Sequence, residues 1–406
     1  MTEVLPPTTY PFERPDRLSL DAGLRDCRSR PGLVRVQLPH GRPAWLATRY
    51  EDVKLVLGDN RFSRALAVAA GDDEPRMFPR VNLPTAIAAM DPPDHTRLRR
   101  VIIPAFTARK VSALAGKVKT NADTLLDKMA DVGPPADLVE DYAVPLTITM
   151  LCDLLGIPSA DQTDFRGWVT TLLSNAATRL PVEQVMEART RMVDYLSGLI
   201  TQRRQEEAHD LLSAMVHARD EQDRLTEPEL LMLGITVLAA GYDSLASQLV
   251  NIFYLLLTEP DLQRQLRASP EEIPQAIEEF LRFIPLGWAG GTLARVARQD
   301  VEVGGFLVRA GETVVADLQS ANRDEAQYPD PDTVDFSRTE SSSHLAFGHG
   351  VHHCVGAQLA RTEIRVAAET ILSRFSELRI AVPVDELVWK TGLLRGCENL
   401  PVEWSE

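Results

Sequence analysis

Cysteine is scarce in this sequence, and its scarcity excludes several classes of protein. The four cysteines among 406 residues, Cys27, Cys152, Cys354 and Cys397, have spacings that fit neither a disulfide framework nor paired zinc ligands, and they suit a reducing compartment. Positive charge is also short. With 43 Lys and Arg against 58 Asp and Glu the net charge is −15, which argues against nucleic acid as a partner. The length would allow two or three domains. Yet no Gly/Ser-rich linker, low-complexity tract or internal repeat divides the chain, so a single domain over residues 1–406 is the expectation. The first residues include Pro6, Pro7 and several charges, without the apolar core of a signal peptide or an anchor. A soluble cytoplasmic protein, bound neither to membrane nor to nucleic acid, is therefore expected.

One apolar run, Leu230 to Leu257, exceeds the roughly twenty residues that cross a bilayer. Asp243, Ser244, Ser247, Gln248 and Asn251 interrupt its middle and would be costly in lipid. Thr226 and Glu229 before it have the spacing of a capping box. The run reads as a long helix inside a globular core. Helical periodicity dominates from about Asp91 to Leu281, and short alternating segments at Leu33–Leu38, Ala44–Thr48, Val301–Val303 and Thr313–Ala316 read as strands. The fold class is thus mainly α with a smaller β region.

The most informative stretch is Phe347-Gly348-His349-Gly350-Val351-His352-His353-Cys354-Val355-Gly356. After it, Leu359, Ala360, Ile364, Ala367 and Ile371 recur at helical spacing through Ala357 to Phe375. Cys354 therefore lies just ahead of a helix N-terminus, where unpaired N–H groups and the macrodipole favour a thiolate. Glycines 348, 350 and 356 allow unusual backbone angles and the close approach of a flat ligand. Three readings follow. Zinc would need a second Cys/His cluster, which the sequence lacks. A buried structural cysteine is the usual fate of a lone cysteine and would win by itself, though it does not explain the glycines and histidines around it. An axial thiolate on haem iron is the third.

Three other segments carry chemistry. Ser269-Pro270-Glu271-Glu272 reads as a helix start with Ser269 as N-cap and Glu272 closing a capping box, and the helix should run to about Phe283. It sets Glu279 and Arg282 at i, i+3 on one face, able to pair. Asp91-Pro92-Pro93-Asp94-His95-Thr96-Arg97-Leu98-Arg99 places His95 and Arg99 at i, i+4, two donors for carboxylates. Ala239-Ala240-Gly241-Tyr242-Asp243-Ser244 puts small residues beside an acid and an alcohol in the middle of the long helix.

The cysteine loop resembles the Phe-Gly-x-Gly-x-His-x-Cys-x-Gly signature of the cytochromes P-450 at all six fixed positions, and the likeness extends from Trp45-Leu46-Ala47-Thr48 to Leu400-Pro401-Val402. It implies the triangular haem-thiolate fold of the soluble bacterial members. Glu279 and Arg282 match the family's buried Glu-x-x-Arg lock. Asn322-Arg323-Asp324 and Asp335-Phe336-Ser337-Arg338 match the segment between lock and cysteine, with Arg338 a further member of the ion pair. Haem b (iron protoporphyrin IX) is the implied cofactor, with Cys354 as its metal ligand. His95, Arg99, Arg295 and His352 would hold the propionates, a sensible count because buried carboxylates must be paired. Phe347, Gly348, Gly356 and Ala240 would lie against the ring. Ala239 to Ser244 resembles the family's oxygen-binding kink, where Asp243 and Ser244 deliver protons. Most members have threonine at Ser244; serine keeps the hydroxyl but lacks the methyl that restrains it.

The reaction so implied is monooxygenation of a small apolar molecule with dioxygen, fed by a separate ferredoxin and ferredoxin reductase. Arg97, Arg100, Arg109, Lys110 and Arg361 are expected to form the basic patch that an acidic ferredoxin meets. Pocket walls are expected between Phe62 and Met90, at Trp168 to Leu180, near Leu238 and Ala239, at Pro285 to Thr292 including Trp288, and at Thr391 to Leu394 including Leu393. These segments are largely uncharged and suit an apolar, aromatic or cyclic natural product of bacterial secondary metabolism. Two further readings use the same residues: oxidative carbon or ring coupling without oxygen insertion, and a non-catalytic haem sensor or electron carrier. The carrier has no need of the acid and alcohol at 243 and 244.

Overall fold

Alternation in the short apolar segments becomes a mixed sheet, and the long helical periodicities become a helical body. A computed structural model describes residues 6–77, 86–173, 180–206, 210–220, 224–287 and 293–405. These pack as two compact units: the described parts of Met1–Pro84, Ala88–Pro93 and Pro274–Cys354 form the first, and those of Thr85–Ile87, Asp94–Ile273 and Val355–Glu406 the second. Each is assembled from separated stretches of chain.

The first unit holds six strands in the spatial order Thr8–Thr9, Val34–Gln37, Ala44–Ala47, Thr313–Ala316, Arg295–Ala297 and Phe62–Ser63. Ala44–Ala47 pairs in parallel with Thr313–Ala316, with Trp45 opposite Val314 and Leu46 opposite Val315. Alternate side chains of a strand point to opposite faces, and here both faces are covered. Trp45 and Ala47 join Val53, Val56, Phe62 and Val314 in one cluster, whereas Ala44 and Leu46 join Tyr10, Val36 and Val315 in another. Val301–Val303 and Phe306–Val308 make a separate antiparallel pair. All four segments read as strands from their alternation are strands, the first two trimmed by a residue at one or both ends.

In the second unit the apolar run is a single helix, Glu227–Thr258. Its capping box is formed: the Glu229 amide donates to Thr226 Oγ1 at 3.3 Å, and the Thr226 amide donates to Glu229 Oε2 at 2.8 Å. Among the described residues it is the one helix long and apolar enough to cross a membrane. Yet Ser247, Gln248 and Asn251 are buried beside Leu249, Ile252 and Phe253, the pattern of a core helix. Gly241 is needed for packing: a Cβ there would come within 2.7 Å of Leu151 Cδ2 on the neighbouring Val144–Leu155 helix. The Ala357–Arg374 helix packs along Ala108–Val132. A three-stranded sheet of Arg379–Ile380, Pro401–Glu403 and Ala136–Asp137 completes the unit.

Two local expectations are corrected. Pro270–Glu272 is a short 3-10 turn ahead of the Ile273–Phe283 helix, and Ser269 makes no side-chain cap. Glu272 instead accepts from Gln265 Nε2 at 2.7 Å, so the capping box is not formed. Gly356, the N-cap of Ala357–Arg374, has φ −84°, open to any residue.

Candidate active site

The cysteine loop in the first unit is held by a chain of hydrogen bonds that begins at the Glu-Arg pair. Arg282 Nη2 and Nε donate to Glu279 Oε1 and Oε2 at 2.7 and 2.8 Å, and both side chains are 0 % exposed. Arg338 Nε reaches Glu279 Oε1 at 3.3 Å, Ser341 Oγ donates to Oε2 at 2.6 Å, and the Asp335 amide donates to Oε1 at 3.0 Å. Burial pushes the Glu279 carboxyl up, but the Arg282 hydrogen bonds and charge, with those of Ser341 and Asp335, outweigh it and hold it below the ordinary value. Arg282 Nη1 also donates to the Asn322 and Pro331 carbonyls at 3.0 and 2.8 Å. Asn322 Oδ1 accepts the Leu345 amide at 2.7 Å, the Leu345 carbonyl accepts the Gly348 amide at 2.8 Å, and the Phe347 carbonyl accepts the Cys354 amide at 2.9 Å. A buried ion pair is thus tied, link by link, to the loop that presents Cys354.

Cys354 is exposed and in no disulfide. Gly348 and Gly350 have φ of +72° and +70°, the left-handed region that favours glycine. A Cβ at Gly350 would lie 2.5 Å from the Leu57 carbonyl oxygen, so this glycine lets the loop rest on the Tyr50–Gly58 helix. Above Gly348 there is space, the nearest atom to a Cβ being the His352 carbonyl oxygen at 3.9 Å. Among the described residues no three His, Cys, Asp or Glu side chains are grouped to hold a metal ion.

In the same unit Arg295 is 6 % exposed at the start of its strand, and its Nη1 donates to the Leu293 carbonyl at 3.0 Å. No carboxylate lies within ion-pair distance of it among the described residues. Nearby Arg64 binds Glu74 at 2.5 Å, and Asp91 is engaged by Ser63, the Arg64 and Ala65 amides and Arg298. Burial and the charge of Arg64 lower the Arg295 guanidinium to about 10, against the opposing charge of Asp91. A buried cation without an ion-pair partner among the described residues is costly, and such a position suits an anionic group.

The second unit carries the remaining residues. His95 is 2 % exposed and Arg99 half-buried, both on the Asp94–Ile102 helix. Along Glu227–Thr258, Leu238 is 1 % exposed and turned into the core, whereas Ala239 is half-buried and Ala240 exposed. Acid and alcohol are differently engaged. Ser244 Oγ donates to the Ala240 carbonyl at 2.6 Å, and Asp243 Oδ1 accepts from Lys390 Nζ at 2.7 Å and from Ser247 Oγ at 3.2 Å. Lys390 was not singled out by sequence reasoning, which has no periodic signal linking positions 147 residues apart. Also missed was Glu363 on Ala357–Arg374, 2 % exposed, its Oε2 without a partner among the described residues. Burial alone raises its carboxyl well above the ordinary value.

Leu393 is 62 % exposed. Trp288 lies outside the described residues, as do positions 78–85 and 174–179 of the expected pocket walls. The basic patch needs correction. Arg97 is committed to Glu229, at 2.6 and 3.1 Å, and to the Arg224 carbonyl, so it does not present a spare charge.

Comparison with known proteins gives the family. The sequence profile described as Cytochrome P450 matches residues 22–275 and 273–381. The chain is 48 % identical to the nocardicin C N-oxygenase of Nocardia uniformis subsp. tsuyamanensis, over 98 % of each protein. It is 46 % identical to the mycinamicin IV hydroxylase/epoxidase of Micromonospora griseorubida, over 98 % of this chain and 99 % of that protein. The crystal structure of the LnmA cytochrome P450 hydroxylase from the leinamycin pathway of Streptomyces atroolivaceus superposes with a TM-score of 0.91 at 45 % identity, covering 98 % of this chain and 100 % of the other. The chain belongs to the cytochrome P450 family, whose members are oxidoreductases built around a haem iron, and it has that fold.

The residues fit such a group. Arg295 supplies a buried cation with no ion-pair partner among the described residues, which suits a propionate carboxylate. The exposed thiol of Cys354 suits an iron ligand.

Proposed function

We propose that the protein is a haem-thiolate monooxygenase that oxidises an apolar natural product of aromatic or cyclic frame in bacterial secondary metabolism, in the cytoplasm, with electrons from a ferredoxin and its reductase. Cys354 would supply the thiolate that binds the iron of haem b. His95, Arg99, Arg295 and His352 would take the propionates, and Phe347, Gly348, Gly356 and Ala240 would lie against the ring. Ala239 belongs to the substrate pocket, with Leu238, Leu393 and Trp288 assigned to it by resemblance. The observation that carries this reading is Arg295, a buried guanidinium with no carboxylate of its own among the described residues. The named activities of the two curated relatives, oxygenation of nocardicin C and of mycinamicin IV, support the substrate class.

When bound, the haem supplies the oxidising chemistry, and a thiolate ligand donates electron density that favours O–O cleavage. Two electrons, two protons and dioxygen then give one oxygen atom in the product and one in water. The chain's own part is to orient substrate, exclude water and move protons. Asp243, held by Ser247 and Lys390, hands a proton on. The Ser244 hydroxyl is held at the Ala240 carbonyl and accepts or passes protons from that position.

The test is spectroscopic and isotopic. The reduced carbon-monoxide complex should absorb at the red-shifted position of a thiolate-bound haem, and Cys354→His should abolish that band; an unchanged band would sink the assignment. Nocardicin C, mycinamicin IV and further cyclic and aromatic natural products, screened by the shift in haem absorption, should reveal a substrate. Turnover of that substrate under heavy-isotope dioxygen should label the product, whereas an unlabelled coupled product would replace monooxygenation by oxidative coupling.

A further inference from the structure

The last part of the chain returns to the middle of the long helix and meets the one acid assigned to proton handling. Residues 388–398 form a hairpin: Trp389 and Cys397 are bridged, the Lys390 amide donates to the Gly396 carbonyl at 2.9 Å, and the Glu398 amide donates to the Val388 carbonyl at 2.8 Å. The hairpin lies on a stripe of the Glu227–Thr258 helix made by Asp243, Ser247, Asn251 and Tyr254, residues three or four apart and so on one face. Each stripe residue has its own contact. Tyr254 meets Trp389 edge to face with ring centroids 5.1 Å apart, and Asn251 Nδ2 donates to the Arg395 carbonyl at 3.2 Å. A Cβ on Gly396 would sit 3.6 Å from Ser247 Cβ, in ordinary contact with the stripe.

At the end of the stripe Lys390 Nζ donates to Asp243 Oδ1 at 2.7 Å and to Ser247 Oγ at 2.9 Å, while Ser247 Oγ donates to the same carboxylate oxygen at 3.2 Å. The three groups close a ring. Lys390 and Asp243 are only 14 % and 20 % exposed, so the ammonium is not a surface charge that happens to fall near an acid. Its backbone is fixed by the hairpin, its stem by the stripe. A carboxylate on a free side chain samples several rotamers, whereas one bound by two donors from two elements is held in one.

We infer that Lys390 is a positioning residue for Asp243: by holding the carboxylate at a fixed place along the helix, it sets the acid through which protons are delivered. The inference rests on the proton-handling part of the proposed function and assigns a second residue to it. Lys390 touches neither substrate nor cofactor in this account and transfers no proton itself. Because the carboxyl group itself remains when Lys390 is replaced, that replacement should cost less than loss of the acid.

The experiment uses ferric holoenzyme and the variants Asp243→Asn, Lys390→Met, Lys390→Arg and the double Lys390→Met/Asp243→Asn. Urea unfolding of the four corners of the cycle reports whether the two side chains are coupled in solution. NADPH oxidation through a ferredoxin and reductase, with no substrate added, is then followed together with hydrogen peroxide release, in H2O and in D2O. Asp243→Asn should slow NADPH oxidation and enlarge its solvent isotope effect. Lys390→Met should do the same by roughly tenfold, short of the about 10²–10⁴ attributed to an acid–base group itself. Lys390→Arg should restore both, since a guanidinium can reach the same oxygens. Should Lys390→Met yield no holoenzyme, Lys390→Gln carries the same expectation. Additivity in the unfolding cycle, or a variant that loses stability while keeping the wild-type isotope effect, would overturn the role of Lys390 and leave Asp243 in place. An isotope effect unmoved by Asp243→Asn would remove the acid's role and with it that of Lys390.

Discussion

Glu279 receives both near donor arms of Arg282 on a helix that buries the pair completely, and it is then shared with Arg338 and Ser341. Among the described residues this carboxylate is the ion-pair partner of both guanidinium groups, and it also accepts from Ser341 and the Asp335 amide. Removing one partner of a buried pair strands the others' charge. Glu279→Ala should therefore cost about 3–5 kcal/mol in urea unfolding and depress the yield of haem-loaded protein. Normal stability and haem content in that variant would show that the network is dispensable.

Gly348 and Gly350 share a backbone conformation but differ in surroundings. Only Gly350 would drive a Cβ into backbone, at 2.5 Å from the Leu57 oxygen. Gly348→Ala should cost about 1 kcal/mol for its positive φ, while Gly350→Ala should cost more, about 3 kcal/mol or beyond, because strain and clash add. Comparable thermal midpoints for the two would contradict this placement of the loop on the Tyr50–Gly58 helix.

Arg295→Gln removes a buried cation that has no ion-pair partner among the described residues. A hydrogen bond to a charged group contributes about 1.5–3 kcal/mol, so haem should transfer to apomyoglobin roughly 10- to 100-fold more readily from this variant. The folded protein should tolerate the change well, since no internal ion pair is broken. Haem loss at the wild-type rate would exclude Arg295 as a propionate partner.

Glu363 gives a pH dependence whose sign can be worked out. Its carboxyl is raised well above the ordinary 4.5 by burial, so the fold favours the neutral form. Below 4.5 both folded and unfolded chains hold the proton and no penalty exists. As pH rises the unfolded chain releases its proton while the folded one retains it, and stability falls. Glu363→Gln should match wild type near pH 4 and become progressively more stable than wild type towards pH 7. A stability difference that does not change with pH would mean that Glu363 titrates alike in both states.

Ser244→Ala removes a hydroxyl held at 2.6 Å from the Ala240 carbonyl. If that hydroxyl organises proton delivery, reducing equivalents should be diverted to hydrogen peroxide and product formation should fall, by up to about 10²–10⁴-fold. A nearly silent Ser244→Ala beside a slow Asp243→Asn would instead mean that the substrate supplies the missing donor.

Elements that depend on near neighbours in sequence were legible from the sequence itself. The Glu227–Thr258 helix, its Thr226–Glu229 box and the strands at 301–303 and 313–316 follow from periodicity and caps, which act over a few residues. The spacing of Glu279 and Arg282 announced a pair, and the residue types of the cysteine loop carried the resemblance to the family. Burial lay beyond this reach: nothing local distinguishes Glu279–Arg282 from an exposed i, i+3 pair, and only packing removed both from water. The Ser269 box is absent, and the Glu272 carboxylate accepts from Gln265 instead. Arg97, legible only as one charge in a basic run, is claimed by Glu229 132 residues away. Lys390 and Asp243 meet because a hairpin folds back onto one stripe of a helix, an encounter set by long-range packing, which a one-dimensional pattern of side chains does not encode.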